Sequence, residues 1–274
     1  MEESIRLPIF GRKKKPVGLT DAGKIYIEPL EKMMLLELEG QQRINDIKEL
    51  RTGTIRIGGT HYINSYILPP FLVEFSRRYP NITLEMVERS AFELRMLLDE
   101  RKIDLTFSCR EDDMKELPYY PFFEDNIIFA VPLNDEFNMK HADAAMNAED
   151  IVMGRHLYPS VKKLSIGDIA DKEIILLGKG NNLHERVLSM YAEAGIEVKV
   201  KLKLNQLVTA FHYAEAGYGA TFTSDRLVRK FNNTLVFYPI ESAVANRQFN
   251  ILLPLNSYVP IAVEKLIELL TGKG

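Results

Sequence analysis

Apolar residues recur along this chain at two different spacings, and the spacing changes near residue 53. Between residues 25 and 50, Ile27, Leu30, Met33, Met34, Leu38, Ile44 and Ile47 fall on one stripe of a helix. Thr20 stands where an N-cap belongs, and Asp21 places a negative charge in the first turn, where it meets the helix dipole favourably. Pro29 is expected to kink or weaken the early turns, Gly40-Gln41-Gln42-Arg43 interrupts the stripe, and Gly53 ends it. Ahead of this helix, Ile9-Phe10 and Val17-Gly18-Leu19 flank a charged tip from Arg12 to Pro16, the pattern of a small hairpin. A lone striped helix of this length needs a partner, and the rest of the chain has core enough without it, so pairing with a second copy is expected.

From Thr54 the pattern alternates between short strands and helices. Thr54 to Gly58 reads as a strand ending in glycines. Ile67, Leu68, Phe71, Leu72 and Phe75 mark a helix stopped by Tyr79-Pro80-Asn81, and Ile82 to Val87 alternates as a strand does. Phe92, Leu94, Leu97 and Leu98 lie on another helix, and Ile103 to Phe107 is a third strand. The order β-α-β-α-β predicts a parallel sheet with right-handed crossovers. The pattern then restarts. Ile127 to Pro132 is a strand, Met139 to Leu164 is less regular and partly helical, and Glu173 to Leu177 is a strand. Leu183 to Ala194 is a helix stopped by Gly195, Val198 to Leu204 a strand, and Val208 to Ala216 a helix. Phe249 to Pro254 and Val259 to Leu270 supply a late strand and a closing amphipathic helix. This order predicts two α/β lobes, with the chain crossing between them near 129–137 and again near 238–247.

Composition narrows the class. The 274 residues are 46% hydrophobic and 27% charged, which is ordinary globular composition and sets aside disorder and low complexity for the chain as a whole. The apolar run Ile127 to Leu133 is far short of the roughly 18 residues of a membrane span. The N-terminal residues carry two glutamates and no apolar signal core. A single cysteine, Cys109, cannot form an internal disulfide, so a cytoplasmic setting is expected and Cys109 reads as a packed thiol. The net charge of −3 speaks against whole-surface nucleic-acid binding. The charge is uneven, however. Ile5 to Lys24 holds six bases and one acid, and Ile25 to Leu50 holds three bases and six acids.

Two groups of motifs, in order, point to one family. Ile9-Phe10-Gly11-Arg12 followed by Leu19-Thr20-Asp21-Ala22-Gly23 resembles the wing and linker-helix start of LysR-type transcriptional regulators. Gly53 to Gly58, Leu68-Pro69-Pro70-Phe71, Tyr79-Pro80 and Lys102-Ile103-Asp104-Leu105 resemble the opening of that family's effector-binding domain, and Ala214 to Gly219 its glycine pair. The resemblance spans essentially the whole chain. It implies a wing remnant at 1–19, a dimerising linker helix at 20–52, and a two-lobed, periplasmic-binding-protein-like (type 2) α/β sensor domain at 53–274. Lobe I is expected at about 53–128 and 245–274, and lobe II at about 129–244. Three departures stand out. The sequence starts after the helices that carry the family's DNA-recognition helix, Met139 to Lys163 is longer than the usual connection, and the usual Leu-Pro after the glycine pair is replaced near Phe222-Thr223.

The chemistry follows the same division. Arg12, Lys13, Lys14 and Lys15 suit phosphate contact from a wing, although a basic run is also typical of a solvated turn. A crevice at the strand ends is expected to collect Thr60 and His61, Ser90, Lys179, Asn181 and Asn182, and Asn205. Each of these also suits a helix cap or an exposed loop. Together they point to a small anionic or zwitterionic metabolite as effector. No cofactor is expected. His61, His141, His156, His184 and His212 show no i,i+4 pairing for a metal, and Gly217-Tyr218-Gly219 follows a helix where a dinucleotide fingerprint follows a strand. No Gly-x-Ser-x-Gly elbow occurs, so an enzyme is not expected. The reading is therefore the sensor and linker portion of a regulator. Its partners are DNA in the intact protein, a metabolite, and one or more further copies of the chain. A ligand-binding protein without DNA binding is the alternative, and a cleft enzyme the more distant one.

Overall fold

The computed structural model describes residues 7–11, 18–46 and 53–273. The basic tip Arg12 to Lys15 lies outside the described residues. Strands β1 (Phe10–Gly11) and β2 (Gly18–Leu19) pair antiparallel, Phe10 opposite Leu19. Helix α1 (Asp21–Asp46) comes directly after them. Thr20 caps it, its hydroxyl accepting the Gly23 N–H at 3.0 Å and donating to the Pro8 carbonyl at 2.5 Å. A Cβ on Gly23 would come within 2.2 Å of the Ile9 carbonyl oxygen, so only glycine lets the hairpin sit this close to the helix. The helix runs unbroken through Pro29 and Gly40, where the sequence predicts a weakening and an interruption.

The first lobe opens with β3 (Gly53–Gly59), parallel to β4 (Ile82–Glu88), and Leu105 bridges to Ile57 in the same parallel sense. Between β3 and β4 lie a single π-turn at Ile63–Ile67 and α2 (Pro69–Arg78). Helix α3 (Ala91–Asp99), strand β5 (Thr106–Ser108) and α4 (Glu111–Glu116) complete the expected β-α-β-α-β order. A Cβ on Gly58 would reach Ile103 Cδ1 at 2.5 Å and Leu94 Cδ2 at 2.8 Å, which shows how tightly α3 is drawn onto β3.

Strand β6 (Tyr119–Pro132) is twice the length that the apolar run predicts, and it ties the molecule together. Its first half, up to Asn126, pairs with β11 (Asn246–Leu252), which also pairs with β5. From Ile127 onward it pairs with β9 (Ala220–Ser224) and β10 (Leu235–Pro239). The exchange of partners places the passage between lobes at Asn126–Ile127, upstream of the 129–137 stretch expected from sequence. β9 and β10 are themselves additions to the predicted strands. β9 reads Ala-Thr-Phe-Thr-Ser and is wholly buried, so its hydroxyl residues disguise a core strand. The Thr221 hydroxyl is accommodated there by donating to the Ile175 carbonyl at 3.0 Å.

In the second lobe, the segment after β6 forms three short helices, α5 (Phe137–Lys140), α6 (Ala148–Val152) and α7 (Ile166–Ile169). Met146 and Leu164 bridge to Phe237 and Ile240, so this segment covers the outer edge of β10, which would otherwise offer an unpaired edge. β7 (Ile174–Leu177) is parallel to both β8 (Val200–Leu204) and β9, with α8 (Asn182–Glu193) and α9 (Leu207–Glu215) as the crossovers. Gly195, at φ +68°, takes the left-handed turn that stops α8, as expected. Helix α10 (Ile261–Leu270) closes the chain against α2 and β3 of the first lobe. No helix among the described residues is long and apolar enough to cross a membrane.

Candidate functional site

Both lobes present the C-terminal ends of their parallel strands to a common cleft of about 720 Å³. From the first lobe come Thr60 and Tyr62 after β3, Arg89 and Ser90 after β4, and Ser108 to Arg110 at the end of β5. From the second come Gly178 to Asn182 after β7 and Asn205 to Leu207 after β8. Arg247 and Phe249 of β11 also line it. The local reason is the same on each side: a strand ends, the chain turns, and a helix begins with its N–H groups directed at the crevice.

Of the residues expected from sequence, Thr60, Ser90, Lys179, Asn181, Asn182 and Asn205 all border this cleft. His61 does not. It is absent from the lining, and its Nδ1 lies 3.3 Å from the carboxylate of Glu88, which does line the cleft. Several of the others also serve their helices. The Ser90 hydroxyl donates to the Glu93 carboxylate at 2.6 Å and accepts the Glu93 N–H, a complete capping box on α3. Asn181 Oδ1 accepts the Leu183 N–H at 3.0 Å, and Asn182 Oδ1 accepts from Arg186 Nε at 3.1 Å. In each case the oxygen is occupied while the amide N–H₂ has no partner among the described residues. Asn205 lies against the backbone of Gly178, where an added Cβ would come within 2.6 Å of Asn205 Oδ1. Gln206, at the N-cap of α9, makes no side-chain cap, so the first N–H groups of that helix stay open.

Sequence reasoning misses the floor of the cleft. Asp125 and Arg247 face each other in the β6–β11 ladder, and both are almost wholly buried. Arg247 Nε donates to Asp125 Oδ1 at 2.7 Å and Nη2 to Oδ2 at 2.5 Å. The hydroxyls of Tyr62 (2.9 Å) and Ser224 (2.7 Å) donate to the same Oδ2. One carboxylate therefore collects groups from the first-lobe turn after β3, from β11, and from β9 of the second lobe. Burial works against the guanidinium charge, but the Asp125 carboxylate opposite raises its pKa above the ordinary arginine range. The Tyr62 hydroxyl is held neutral, first by burial and then by the Asp125 charge. The only sequence signal for this group would be an opposite-charge pair across the ladder, and two residues 122 positions apart reveal it only when the register is known.

Cys109 lines the cleft beside this group. Burial pushes its thiol up to about 11, so it is protonated at neutral pH. Among the described residues no group of three His, Cys, Asp or Glu could hold a metal ion. Across the mouth, Arg110 of the first lobe meets Glu185 of α8 at 3.4 Å, and Arg186 Nη1 donates to the carbonyls of Val244 (2.7 Å) and Asn246 (3.0 Å).

Two lobes sharing one cleft at their strand ends is a fold that many proteins use, and comparison with known proteins decides among them. The family model described as LysR substrate binding domain matches residues 48–274. The chain belongs to the LysR family. An uncharacterized HTH-type transcriptional regulator, YcgK, of Bacillus subtilis is 24% identical over 273 residues, covering 98% of this chain and 82% of its own length. A probable RuBisCO transcriptional regulator of Synechocystis is 21% identical over 266 residues, covering 94% of this chain and 71% of its own. Among solved structures, the QuiR effector-binding domain in complex with shikimate superposes with a TM-score of 0.64 at 14% identity, covering 81% of this chain and 97% of that one. The Synechocystis CcmR regulatory domain in complex with 2-PG gives 0.66 at 15%, with the same coverage. These establish the two-lobed fold of LysR effector-binding domains for residues 53–273, and the family and its relatives are transcriptional regulators, not enzymes.

Proposed function

We propose that this LysR-family chain holds a small anionic metabolite between its lobes and passes the resulting change in lobe arrangement through α1 to a DNA-bound assembly. The observation that carries the reading is the polarity of the free groups in the cleft. The Thr60 hydroxyl, the amide N–H groups of Asn181, Asn182 and Asn205, and the Lys179 ammonium have no partner among the described residues, and all can donate. The two carboxylates named in this part of the lining are engaged, Glu93 in the α3 capping box and Glu88 with His61. A surface rich in free donors whose carboxylates are already engaged favours an anion over a zwitterion. The QuiR and CcmR domains, in complex with shikimate and 2-PG, support a small metabolite as the ligand of a domain of this fold. A ligand shifts the equilibrium between lobe arrangements only by binding one of them more tightly.

The remaining assignments are those of the family. Residues 1–19 act as a wing, with the charges of Arg12, Lys13, Lys14 and Lys15 suited to phosphate contact, and 20–52 as a linker that pairs with a second copy. A panel of small acids, amines and neutral sugars tests the effector reading by thermal unfolding of the whole chain. Acids are expected to raise the unfolding temperature, by a margin that grows with the logarithm of ligand concentration over Kd. The Thr60→Ala and Lys179→Ala variants are expected to lose that rise while unfolding normally without ligand. Stabilisation by amines or sugars alone, or by acids equally in both variants, would contradict it.

A further inference from the structure

The buried pair on the cleft floor is unequal in one respect. Asp125 is saturated: Oδ1 takes Arg247 Nε, and Oδ2 takes Arg247 Nη2 and the hydroxyls of Tyr62 and Ser224. Arg247 is not. A guanidinium carries five N–H groups, and these contacts use two of them. Nη1 makes no hydrogen bond to any described residue, although the side chain is only 3% exposed, and its small remaining exposure opens onto the cleft it lines. A permanent charge with unpartnered donors in a nearly dry wall is a strong and directional attraction for an oxygen anion.

The surroundings narrow the class of anion. The guanidinium lies over the Phe249 ring at 5.1 Å, and Phe249 stacks on Phe123 at 4.7 Å with the rings 5° from parallel. Tyr62, Ile63 and Phe107 complete the floor of the cleft around it. Such a wall suits a flat, singly charged group carried on an apolar body. A phosphate dianion would have to shed far more hydration against aromatic rings for the same one nitrogen.

We propose that the effector carries a carboxylate that docks on Arg247 Nη1, with its carbon frame against Phe107 and Phe249, which makes Arg247 the specificity-determining residue of the cleft. The inference rests on the effector-cleft reading above and goes beyond it in naming the group and its seat. Its consequence is mechanical. Arg247 is held by Asp125, and Asp125 is held by Tyr62 of one lobe and Ser224 of the other, so a carboxylate at Nη1 touches the junction between the lobes.

The test is titration calorimetry of the whole chain with benzoate and cyclohexanecarboxylate, with benzamide as the uncharged counterpart and inorganic phosphate as the rival anion. Two variants keep the buried charge balanced: Arg247→Lys retains a cation without the planar fork, and Asp125→Asn with Arg247→Gln neutralises the pair. The expected result is one carboxylate bound per chain, benzamide weaker by at least roughly tenfold, and a loss of at least roughly tenfold in either variant with normal thermal unfolding. In the unaltered chain, a guanidinium nitrogen resonance assigned to Arg247 should shift on adding benzoate, a readout that needs no variant to fold. Carboxylate binding that ignores Arg247 but still falls in Thr60→Ala and Lys179→Ala would overturn this inference and leave the cleft reading standing. Binding insensitive to all three residues would overturn both. No carboxylate bound up to about 10 mM, or phosphate bound in its place, would also refute the carboxylate seat.

Discussion

A buried carboxylate survives only where every oxygen finds a donor, and Asp125 draws its donors from three separate segments of the chain. Removing it by Asp125→Ala strands the Arg247 charge, and urea unfolding should show a loss of about 3–5 kcal/mol. Replacing both partners, as Asp125→Leu with Arg247→Met, should cost clearly less, because no unpaired charge remains. Equal losses in the single and double variants would mean that the two residues do not act as a coupled unit. This residue-scale feature is also the least legible in the sequence. Thr60, Ser90 and Lys179 could be picked out because each stands at the end of a strand pattern and the start of a helical one. Arg247 and Tyr62 could not, since their importance depends on a β-ladder register and on a turn geometry that hydrophobic spacing does not encode. His61 comes after the right strand but is absent from the cleft lining, and its ring meets the Glu88 carboxylate.

The elements explain how the cleft edge is set. β7 ends at Leu177, and Gly178 then lets the chain pass against Asn205, which comes after β8. In Gly178→Ala the new Cβ would come within 2.6 Å of Asn205 Oδ1, on an exposed side chain free to swing aside. The expected outcome is a thermal unfolding temperature close to that of the unaltered chain and weaker binding of stabilising acids, because Asn205 is displaced from the cleft. Unchanged affinity would remove Asn205 from the binding set. At this scale the sequence is a good guide wherever apolar periodicity is strong, as in α1, β3, β4, α8 and α10. It is a poor one where burial is shared with polar atoms. The first half of β6 contains Pro121, Glu124 and Asp125, which suggest a loop, yet the ladder to β11 makes it a strand. β9 hides behind its threonines. The segment 139–164 has little periodicity because it consists of short pieces that cap one sheet edge.

For the molecule as a whole, α1 stands apart from the two lobes in character. Met33, Met34 and Ile44 are 65%, 69% and 57% exposed, which is costly for a helix that solvent alone surrounds. Near its C-terminal end it returns to the first lobe, where the Arg43 guanidinium lies 4.9 Å from the Tyr258 ring centroid. A helix that leaves several large apolar side chains exposed and touches the first lobe near one end suits pairing with a second copy. Met33→Glu with Met34→Glu should shift sedimentation from dimer towards monomer without lowering the unfolding temperature of the lobes. A chain that sediments as a monomer at micromolar concentration before any substitution would contradict that pairing. Whether a small organic anion sits between the lobes is best decided by equilibrium dialysis of the whole chain against a cell metabolite extract, with mass spectrometry of the retained compounds. One acid per chain should be retained, and it should be lost when Thr60→Trp fills the cleft in a chain that still unfolds cooperatively. Retention of neutral or basic compounds alone, or of an acid that the filled cleft still holds, would contradict an anion-binding cleft.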